Sequence, residues 1–315
     1  MSQTKQAFLF PGQGSQAVGM LGDIIEQESL VAATFAEASE ALGYDLLALV
    51  KEGPADRLNE TERTQPAILT ASVALWRLWQ EKGGNTPDYF AGHSLGEYSA
   101  LVAAGVLAFK DAVKLVEKRG QLMQAAVPAG EGAMAAIIGL TDEQVAEACG
   151  AATGDNVCAA VNYNAPGQVV IAGTKSGVDQ GIEAAKALGA KRALPLPVSA
   201  PSHCVLMKPA AEQLAAEMSM LDWQPATVPI VQNVDAKAYT DVEILRTNLV
   251  EQLYRPVQWV QTIQYLGGNG VTQGFECGPG KVLSGLVKRI DKTLAVNPLE
   301  QPGAFTDALT ASKNA

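Results

Sequence analysis

A serine framed by glycines, between a short apolar strand and a helix, is the feature that most constrains how this chain can fold. Gly92-His93-Ser94-Leu95-Gly96 follows the strand candidate 88–92 and precedes a helical pattern that begins at Glu97. Glycines on both sides permit a sharp strand-to-helix turn that exposes the serine hydroxyl. The helix N-terminus favours the negative charge that develops during acyl transfer. The pattern predicts that Ser94 is a nucleophile; the alternative is an ordinary serine in a glycine-rich turn.

The strand-then-helix order recurs along the chain. Residues 6–10 predict a buried strand, residues 17–83 carry several helices, and helix returns over 97–126. Further strands are expected over 228–233 and 272–277. Alternation of this kind predicts a parallel sheet covered by helices, which is an α/β fold.

Residues 132–197 have a different pattern. Strand and helix signals there follow the order βαββαβ, with a turn cluster at 164–167 between the two middle strands. This order is typical of a ferredoxin-like unit. A length of 315 residues suits one large domain that carries a smaller insert. We therefore predict a large subdomain formed by residues 1–130 and 199–315, and a small inserted subdomain formed by residues 131–198.

Charge and composition exclude several classes of function. The chain has 23 Lys and Arg against 33 Asp and Glu, a net charge of −10. A protein of this charge is not expected to bind nucleic acid non-specifically or to dock on an acidic membrane surface. The sequence has neither an uninterrupted apolar stretch of about 18 residues nor a recognisable signal peptide. Its four cysteines form no CxxC pair, which indicates free thiols and a cytoplasmic location.

A serine nucleophile needs a base, and the chain has two histidines, His93 and His203. His93 adjoins Ser94, but neighbouring side chains on a sharp turn point in different directions. His203 follows the last strand of the predicted insert and precedes a helix, a position that can face a cleft. We therefore predict His203 as the base, although a single histidine is more often structural than catalytic.

The loop after the first strand, Phe10 to Ala17, has two functional interpretations. Gly12, Gly14 and Ala17 match a GxGxxA dinucleotide-binding pattern, but that pattern requires a second strand ending in Asp or Glu about 20 residues later. An alanine-rich helical stretch stands there instead. In the favoured interpretation the backbone N–H groups of Gln13 and Leu95 form an oxyanion hole. A plain tight turn remains the third possibility.

Arg119 interrupts an apolar helix face. Positions 112, 115, 116, 119, 122, 123 and 126 share that face and are Ala, Leu, Val, Arg, Leu, Met and Ala. A guanidinium cannot lose its charge, so in such a place it must find an anion or several carbonyl groups. Either a substrate anion or an internal carboxylate fits this requirement.

A glycine-rich segment near the C-terminus, Gly278-Pro279-Gly280-Lys281, differs from a phosphate-binding loop. Val282 stands where that loop needs Ser or Thr, and Phe275 stands where it needs Gly. A loop that leads into a helix is the better interpretation.

Taken together, these segments resemble the malonyl-CoA:acyl-carrier-protein transacylases of bacterial fatty-acid synthesis, in the order of that family and over nearly the whole chain. The resemblance rests on Phe10-Pro11-Gly12-Gln13-Gly14-Ser15-Gln16, Gly92-His93-Ser94-Leu95-Gly96-Glu97-Tyr98, Arg119, Pro201-Ser202-His203-Cys204 and Gly278-Pro279-Gly280-Lys281-Val282-Leu283. It implies an α/β-hydrolase-like large subdomain with a ferredoxin-like insert. It also implies ping-pong acyl transfer without a metal or other cofactor.

The resemblance further implies a role for each site residue. Ser94 would carry the acyl group, His203 would be its base, and Gln13 and Leu95 would bind the oxyanion. Arg119 would hold the malonyl carboxylate. The backbone carbonyl of Gln252 would orient the histidine, and Asn162 and Asn164 would line the cleft.

The implied partners are malonyl-CoA and acyl carrier protein, and the chain is expected to act as a monomer. Carrier proteins are acidic, so a local basic patch would have to override the net charge of this chain. The candidates for that patch are Lys191, Arg192, Lys208, Lys288 and Arg289. An acyltransferase of polyketide assembly would share every motif, whereas a serine esterase would share Ser94, His203 and the oxyanion hole but not the need for an arginine in the pocket. The dinucleotide-binding protein stays the non-enzymatic alternative.

Overall fold

The structure is a computed structural model that describes residues 4–313, and within them the chain forms two separate sheets. The strands are β1 (Lys5–Phe10), β2 (Tyr89–Gly92), β3 (Gly132–Ile138), β4 (Cys158–Ala165), β5 (Gln168–Thr174), β6 (Arg192–Pro195), β7 (Ile230–Val231), β8 (Ala238–Tyr239), β9 (Val271–Glu276) and β10 (Ala295–Pro298). The helices are α1 (Gly22–Gln27), α2 (Ser29–Leu42), α3 (Leu46–Glu52), α4 (Ala55–Leu58), α5 (Thr61–Glu81), α6 (Gly96–Ala103), α7 (Phe109–Ala125), α8 (Asp142–Cys149), α9 (Lys175–Ala187), α10 (Lys208–Ser219), α11 (Val242–Gln252), α12 (Trp259–Gly268), α13 (Val282–Ile290) and α14 (Pro302–Lys313).

The larger sheet has the strand order β10-β9-β1-β2-β7-β8. Its pairs are parallel except for the last, β7 with β8. Strand β1 lies between β9 and β2 and, apart from Lys5, is buried, because an inner strand is covered by helices on both faces. Phe10 of β1 pairs with Gly92 of β2, so the loops that leave both strands emerge side by side. The predicted parallel sheet is confirmed, and its register brings the two glycine-rich loops together.

The smaller sheet is antiparallel, with the order β4-β5-β3-β6. Numbered within the segment, this is the order 2-3-1-4 of a ferredoxin-like βαββαβ unit, with α8 and α9 as its helices. Helices and sheet share an apolar core of their own that includes Ile137, Val145 and Ile171. The predicted fold class is confirmed, whereas the predicted boundaries at residues 131 and 198 stay a prediction.

The structure corrects several predicted elements. Strand β4 continues through Asn164 and Ala165, so the turn consists of Pro166 and Gly167 alone; ladder pairing with β5 through an irregular register outweighs the turn preference of Asn164. The strand expected over 228–233 is reduced to Ile230–Val231, because the residues that follow turn away to make other hydrogen bonds. Strand β10 and helix α14 were not predicted. Between residues 4 and 313, no helix is long and apolar enough to cross a membrane.

Candidate active site

Ser94 stands on a strained turn between β2 and α6. Its backbone has φ of 51°, in the left-handed region that residues other than glycine rarely adopt. A Cβ atom on Gly92 would overlap the backbone of Gly96, and a Cβ on Gly96 would overlap the carbonyl of Phe10. The two glycines of the motif are therefore steric requirements of a turn that holds the serine side chain clear of the sheet.

His203 lies against Ser94 from the other side of the cleft. Its Nε2 is 2.8 Å from Ser94 Oγ, and its Nδ1 is 2.6 Å from the backbone carbonyl oxygen of Gln252, at the end of α11. A carbonyl oxygen can only accept, so Nδ1 must carry the proton and Nε2 is free to accept from the serine hydroxyl. The structure brings these three predicted residues together in the geometry of a nucleophile and its oriented base.

The two histidines have different surroundings. Burial, reinforced by the positive charge of Arg119, lowers the pKa of His203 to about 3, so its imidazole is neutral near pH 7. His93 turns away from the serine hydroxyl: its Nε2 is 2.7 Å from Asn164 Oδ1 and its ring packs on Trp259. Burial also lowers the pKa of His93. Asn164, predicted to line the cleft, therefore also fixes the ring of His93.

Gln13 and Leu95 line the same cavity as Ser94, and their backbone N–H groups donate to no other residue of the described chain. Gly12 makes this approach possible, because a Cβ there would overlap the carbonyl of His93. Two unpaired N–H groups beside Ser94 fit the predicted oxyanion hole. Helices α1 to α5 fill the chain between β1 and β2, so the strand that a dinucleotide-binding site needs about 20 residues after its glycine-rich loop is not there. This removes the basis of the dinucleotide-binding alternative.

The segment Gly278 to Lys281 supports this loop from behind. A Cβ on Gly278 would overlap the ring of Pro11 and lie 2.7 Å from Ser72 Oγ. The N–H of Gly280 donates to the Glu300 carboxylate over 3.0 Å. The segment therefore packs against the loop after β1, as expected for a structural loop that leads into α13.

Arg119 is 1% exposed and sits where α7 crosses α5. A Cβ on the next residue, Gly120, would lie 2.7 Å from the backbone of α5, which shows how closely the two helices pack. The guanidinium donates to Gln65 Oε1 over 2.7 Å, to Gln252 Oε1 over 3.0 Å and to Ser94 Oγ over 3.3 Å. Its Nε has no partner in the described chain. No described carboxylate pairs with it within 4.0 Å, so the alternative of a direct internal ion pair is not realised.

The cavity in front of these groups has a volume of about 330 Å³. It is lined by residues of the loops that follow β1 and β2 and by residues of the smaller sheet. Asn162 of β4 lines it, is 8% exposed, and leaves its Oδ1 without a partner in residues 4–313. Apolar side chains such as Met134 and Leu283 complete the walls. An apolar cleft with a few unpaired polar groups is the usual form of a small-molecule site.

Sequence reasoning missed three buried polar residues that support the site: Gln65, Asn233 and Glu97. Asn233 Oδ1 accepts the backbone N–H of Ser94 over 2.7 Å, and its Nδ2 donates to the Gly92 carbonyl over 2.6 Å. Burial raises the pKa of Glu97 to about 8, while the hydrogen bonds that it accepts from N–H groups and the charge of Arg119 act to lower that pKa. A polar residue on the buried face of α5 was the available signal for Gln65; nothing local distinguishes Asn233.

The predicted basic residues are all exposed, but they do not form one cluster of contacts. Lys191 and Arg289 line a common shallow groove. Arg289 on α13 donates to the Pro166 carbonyl over 3.1 Å and to Gln168, which also borders the cavity beside Ser94. Lys208, at the start of α10, lies over the ring of Tyr254. Arg289 is therefore the predicted cation most directly linked to the cavity mouth.

Comparison with known proteins agrees with this geometry. The profile of the acyl transferase domain matches residues 7–289. The malonyl CoA-acyl carrier protein transacylase of Salmonella typhimurium is 58% identical over 307 residues, which cover 98% of this chain and 99% of that protein. The Escherichia coli K12 protein of the same name is 58% identical over 306 residues, covering 97% and 99%.

Solved structures show the same similarity. A malonyl-CoA:acyl carrier protein transacylase from Xanthomonas oryzae superposes with a TM-score of 0.96 at 51% identity and covers 99% of both chains. A malonyl-transacylase solved with its type II polyketide acyl-carrier protein gives a TM-score of 0.96 at 53% identity, covering 98% of this chain and 100% of that one. With similarity of this extent, the chain belongs to the acyl transferase family, as an acyltransferase of its malonyl-CoA:acyl-carrier-protein transacylase branch.

Proposed function

We propose that this protein transfers the malonyl group of malonyl-CoA to the phosphopantetheine thiol of acyl carrier protein, supplying fatty-acid elongation. The observation that carries the proposal is Arg119, a buried cation with an unpaired Nε–H, placed 3.3 Å from the hydroxyl of Ser94. A guanidinium in that position can bind the carboxylate that distinguishes malonyl from other short acyl groups. Family membership supports both the donor and the acceptor.

In the first half-reaction Ser94 Oγ attacks the thioester carbon while its proton passes to His203 Nε2. The carbonyl oxygen becomes an oxyanion that the N–H groups of Gln13 and Leu95 stabilise. The intermediate collapses, the carbon–sulfur bond breaks, and the proton on His203 goes to the sulfur of coenzyme A. In the second half-reaction the thiol of the carrier's arm gives its proton to the histidine and attacks the malonyl-serine. Serine then leaves and recovers its proton.

Each remaining side chain has a position consistent with this scheme. The Gln252 carbonyl keeps the histidine in the tautomer that accepts the serine proton. Asn162 lines the cavity and has a side-chain oxygen without a partner in residues 4–313, which suits it to accept an N–H of the substrate's arm. The chemistry uses groups of the protein alone and calls for no metal or redox cofactor.

The carrier protein would approach the mouth of the cavity, where α13 carries the exposed Lys288 and Arg289. Local positive charge there would attract an acidic partner despite the net charge of −10. The proposal includes action as a monomer in the cytoplasm, where malonyl-CoA and carrier protein would both be encountered. Neither a nucleic acid nor a membrane has a part in it.

A polyketide carrier is the second candidate acceptor. The malonyl-transacylase that was solved with a type II polyketide carrier protein is 53% identical to this chain and superposes with a TM-score of 0.96. A serine esterase would share Ser94 and His203, but the buried cation beside the nucleophile suits an acyl group that carries a carboxylate.

Intact mass spectrometry tests the proposal. The protein should gain one malonyl group on mixing with malonyl-CoA, and Ser94→Ala should gain none. Addition of a carrier protein with its thiol arm should remove the group and return it on the carrier. Full labelling of the Ser94→Ala protein would refute the nucleophile, and release of free malonate without carrier acylation would identify an esterase. Comparing fatty-acid and polyketide carriers as acceptors separates the two pathways.

A further inference from the structure

Glu97 is a buried acid in the first turn of α6, three residues after the nucleophile, and the reaction scheme gives it no role. It is 1% exposed, and both carboxylate oxygens accept hydrogen bonds from N–H donors. Oε1 accepts the backbone N–H of Asn233 over 2.5 Å, and Oε2 accepts the side-chain amide of Gln252. A buried carboxylate of this kind is costly to keep unless its surroundings use its charge.

The Gln252 amide connects Glu97 to Arg119. Its NH₂ group donates to Glu97 and, over 2.9 Å, to the carbonyl of Ser94, while its Oε1 accepts from Arg119 Nη2 over 3.0 Å. The reverse orientation would press the amide oxygen against two acceptors and the NH₂ group against the guanidinium. The carboxylate on one side and the cation on the other therefore fix the amide.

This arrangement places a carboxyl near Arg119 that takes none of its N–H donors directly, because the Gln252 amide takes one of them through Nη2. A carboxylate in direct contact would form paired hydrogen bonds with the guanidinium and occupy the face that an incoming anion needs. Both oxygens of Glu97 accept from N–H donors, and these hydrogen bonds favour the ionised carboxyl against the burial that raises its pKa to about 8; in that form its charge attracts Arg119 across one neutral amide. Arg119 Nε meanwhile stays without a partner in the described chain.

We propose that Glu97 is a specificity-positioning residue: its carboxylate fixes the Gln252 amide, and that amide holds Arg119 ready for the substrate carboxylate. The inference rests on the proposed function, because it assumes that Arg119 binds malonyl. Glu97 itself touches neither substrate nor reacting atoms. It acts on selectivity through Gln252. It also accepts the backbone N–H of Asn233, whose side-chain oxygen accepts the N–H of Ser94.

The substitution Glu97→Gln keeps the size of the side chain and can still accept from Asn233. Its new NH₂ group, however, faces the NH₂ group of Gln252, which must turn and present a donor to Arg119. We expect malonylation to suffer more than a reaction that needs only Ser94 and His203. Labelling of Ser94 by a neutral serine-directed organophosphonate supplies that second reaction.

The test measures the ratio of the two rates, malonylation by malonyl-CoA over organophosphonate labelling. The ratio should fall at least tenfold in Glu97→Gln and less in Glu97→Asp, which keeps the charge but shortens the side chain. Simple packing predicts the opposite order, since Gln fills the site and Asp leaves a void. Ser99→Ala, a buried change further along α6 at a hydroxyl without a partner in residues 4–313, is the matched control and should keep the wild-type ratio.

Equal losses in both reactions, or a Gln variant that exceeds the Asp variant, would overturn the role of Glu97. Should both Glu97 variants fail to fold, Gln252→Met tests the relay from its centre, because it keeps the backbone carbonyl that His203 needs; a wild-type ratio there also overturns the inference. Arg119→Ala is measured in parallel. If Arg119→Ala keeps the wild-type ratio, the proposed carboxylate site is wrong and the inference is refuted with it. If the ratio falls in Arg119→Ala but not in Glu97→Gln, the inference alone is refuted.

Discussion

Substitution of Arg119 by alanine should change which acyl group the enzyme accepts. Malonyl and acetyl thioesters react through the same carbonyl chemistry and differ by one carboxylate. Ser94, His203 and the two N–H donors cannot distinguish them. Arg119 is the buried cation that lies beside Ser94, with its Nη2 at 3.3 Å from the hydroxyl oxygen. We therefore expect Arg119→Ala to lose most malonyl transfer and to retain, or even gain, acetyl transfer.

The magnitude follows from the hydrogen bonds that the guanidinium can offer. A hydrogen bond to a charged group contributes about 1.5–3 kcal/mol, so a paired contact with a carboxylate contributes about 3–6 kcal/mol. Each 1.4 kcal/mol corresponds to about a factor of ten. The preference for malonyl over acetyl, expressed as the ratio of kcat/KM values, should then fall by about 10²–10⁴. Arg119→Lys should recover only a small part, because an ammonium cannot form the same planar pair.

The assay is acylation of the protein by each thioester, followed by the rate of adduct formation. Lys114→Ala is the matched control, since Lys114 is an exposed cation on the same helix and its loss changes the net charge equally. Thermal unfolding shows whether each variant is folded. A folded Arg119→Ala protein with the wild-type preference would refute the reasoning, and the substrate carboxylate would then require another host.

Three further predictions concern the base, the carrier and pH. His203→Ala should slow acylation by about 10²–10⁴-fold, whereas His93→Ala should lower thermal stability more than rate; an inactive but stable His93 variant beside an active His203 variant would reverse the assignment. Charge reversal of Lys288 and Arg289 should slow transfer to carrier protein at low salt, as added salt does in the wild type, and unchanged transfer in stopped-flow assays would move the docking site elsewhere. Because the pKa of His203 is lowered from 6.5 to about 3, the unfolded chain binds the extra proton between those values, so stability should decline as pH falls through that window. Denaturant unfolding should show a shallower decline in His203→Ala; an identical slope would contradict the low pKa.

The parts of the fold that follow local rules could be predicted from the sequence. Apolar runs located β1, β2 and β9, and the βαββαβ order located the insert, because strand length and helical periodicity are set by neighbouring residues. The failures lie where pairing with a distant strand decides the outcome. Asn164 has a turn preference, yet β5 extends β4 through it. The residues of β10 gave no clear signal, and their strand is defined by the neighbouring β9.

The reactive groups were accessible to sequence reasoning for a chemical reason. A nucleophile needs a base, a buried guanidinium needs an anion or several carbonyl groups, and a chain with two histidines leaves few choices. The supporting groups have no comparable signature. Gln65 and Asn233 are amides of ordinary type, and their value comes only from the atoms they meet in the folded chain.

The supporting groups have no local sequence signature because they lie far from Ser94 in the chain. Ser94 meets His203 across 109 positions, Asn233 across 139 and Gln252 across 158. These partners come from three different connections between strands of the large sheet. A change in register of one strand would separate them while leaving every motif intact. The motifs therefore identify which chemistry is available, whereas the parallel sheet, by joining β1 to β2 at Phe10 and Gly92, determines whether it can take place.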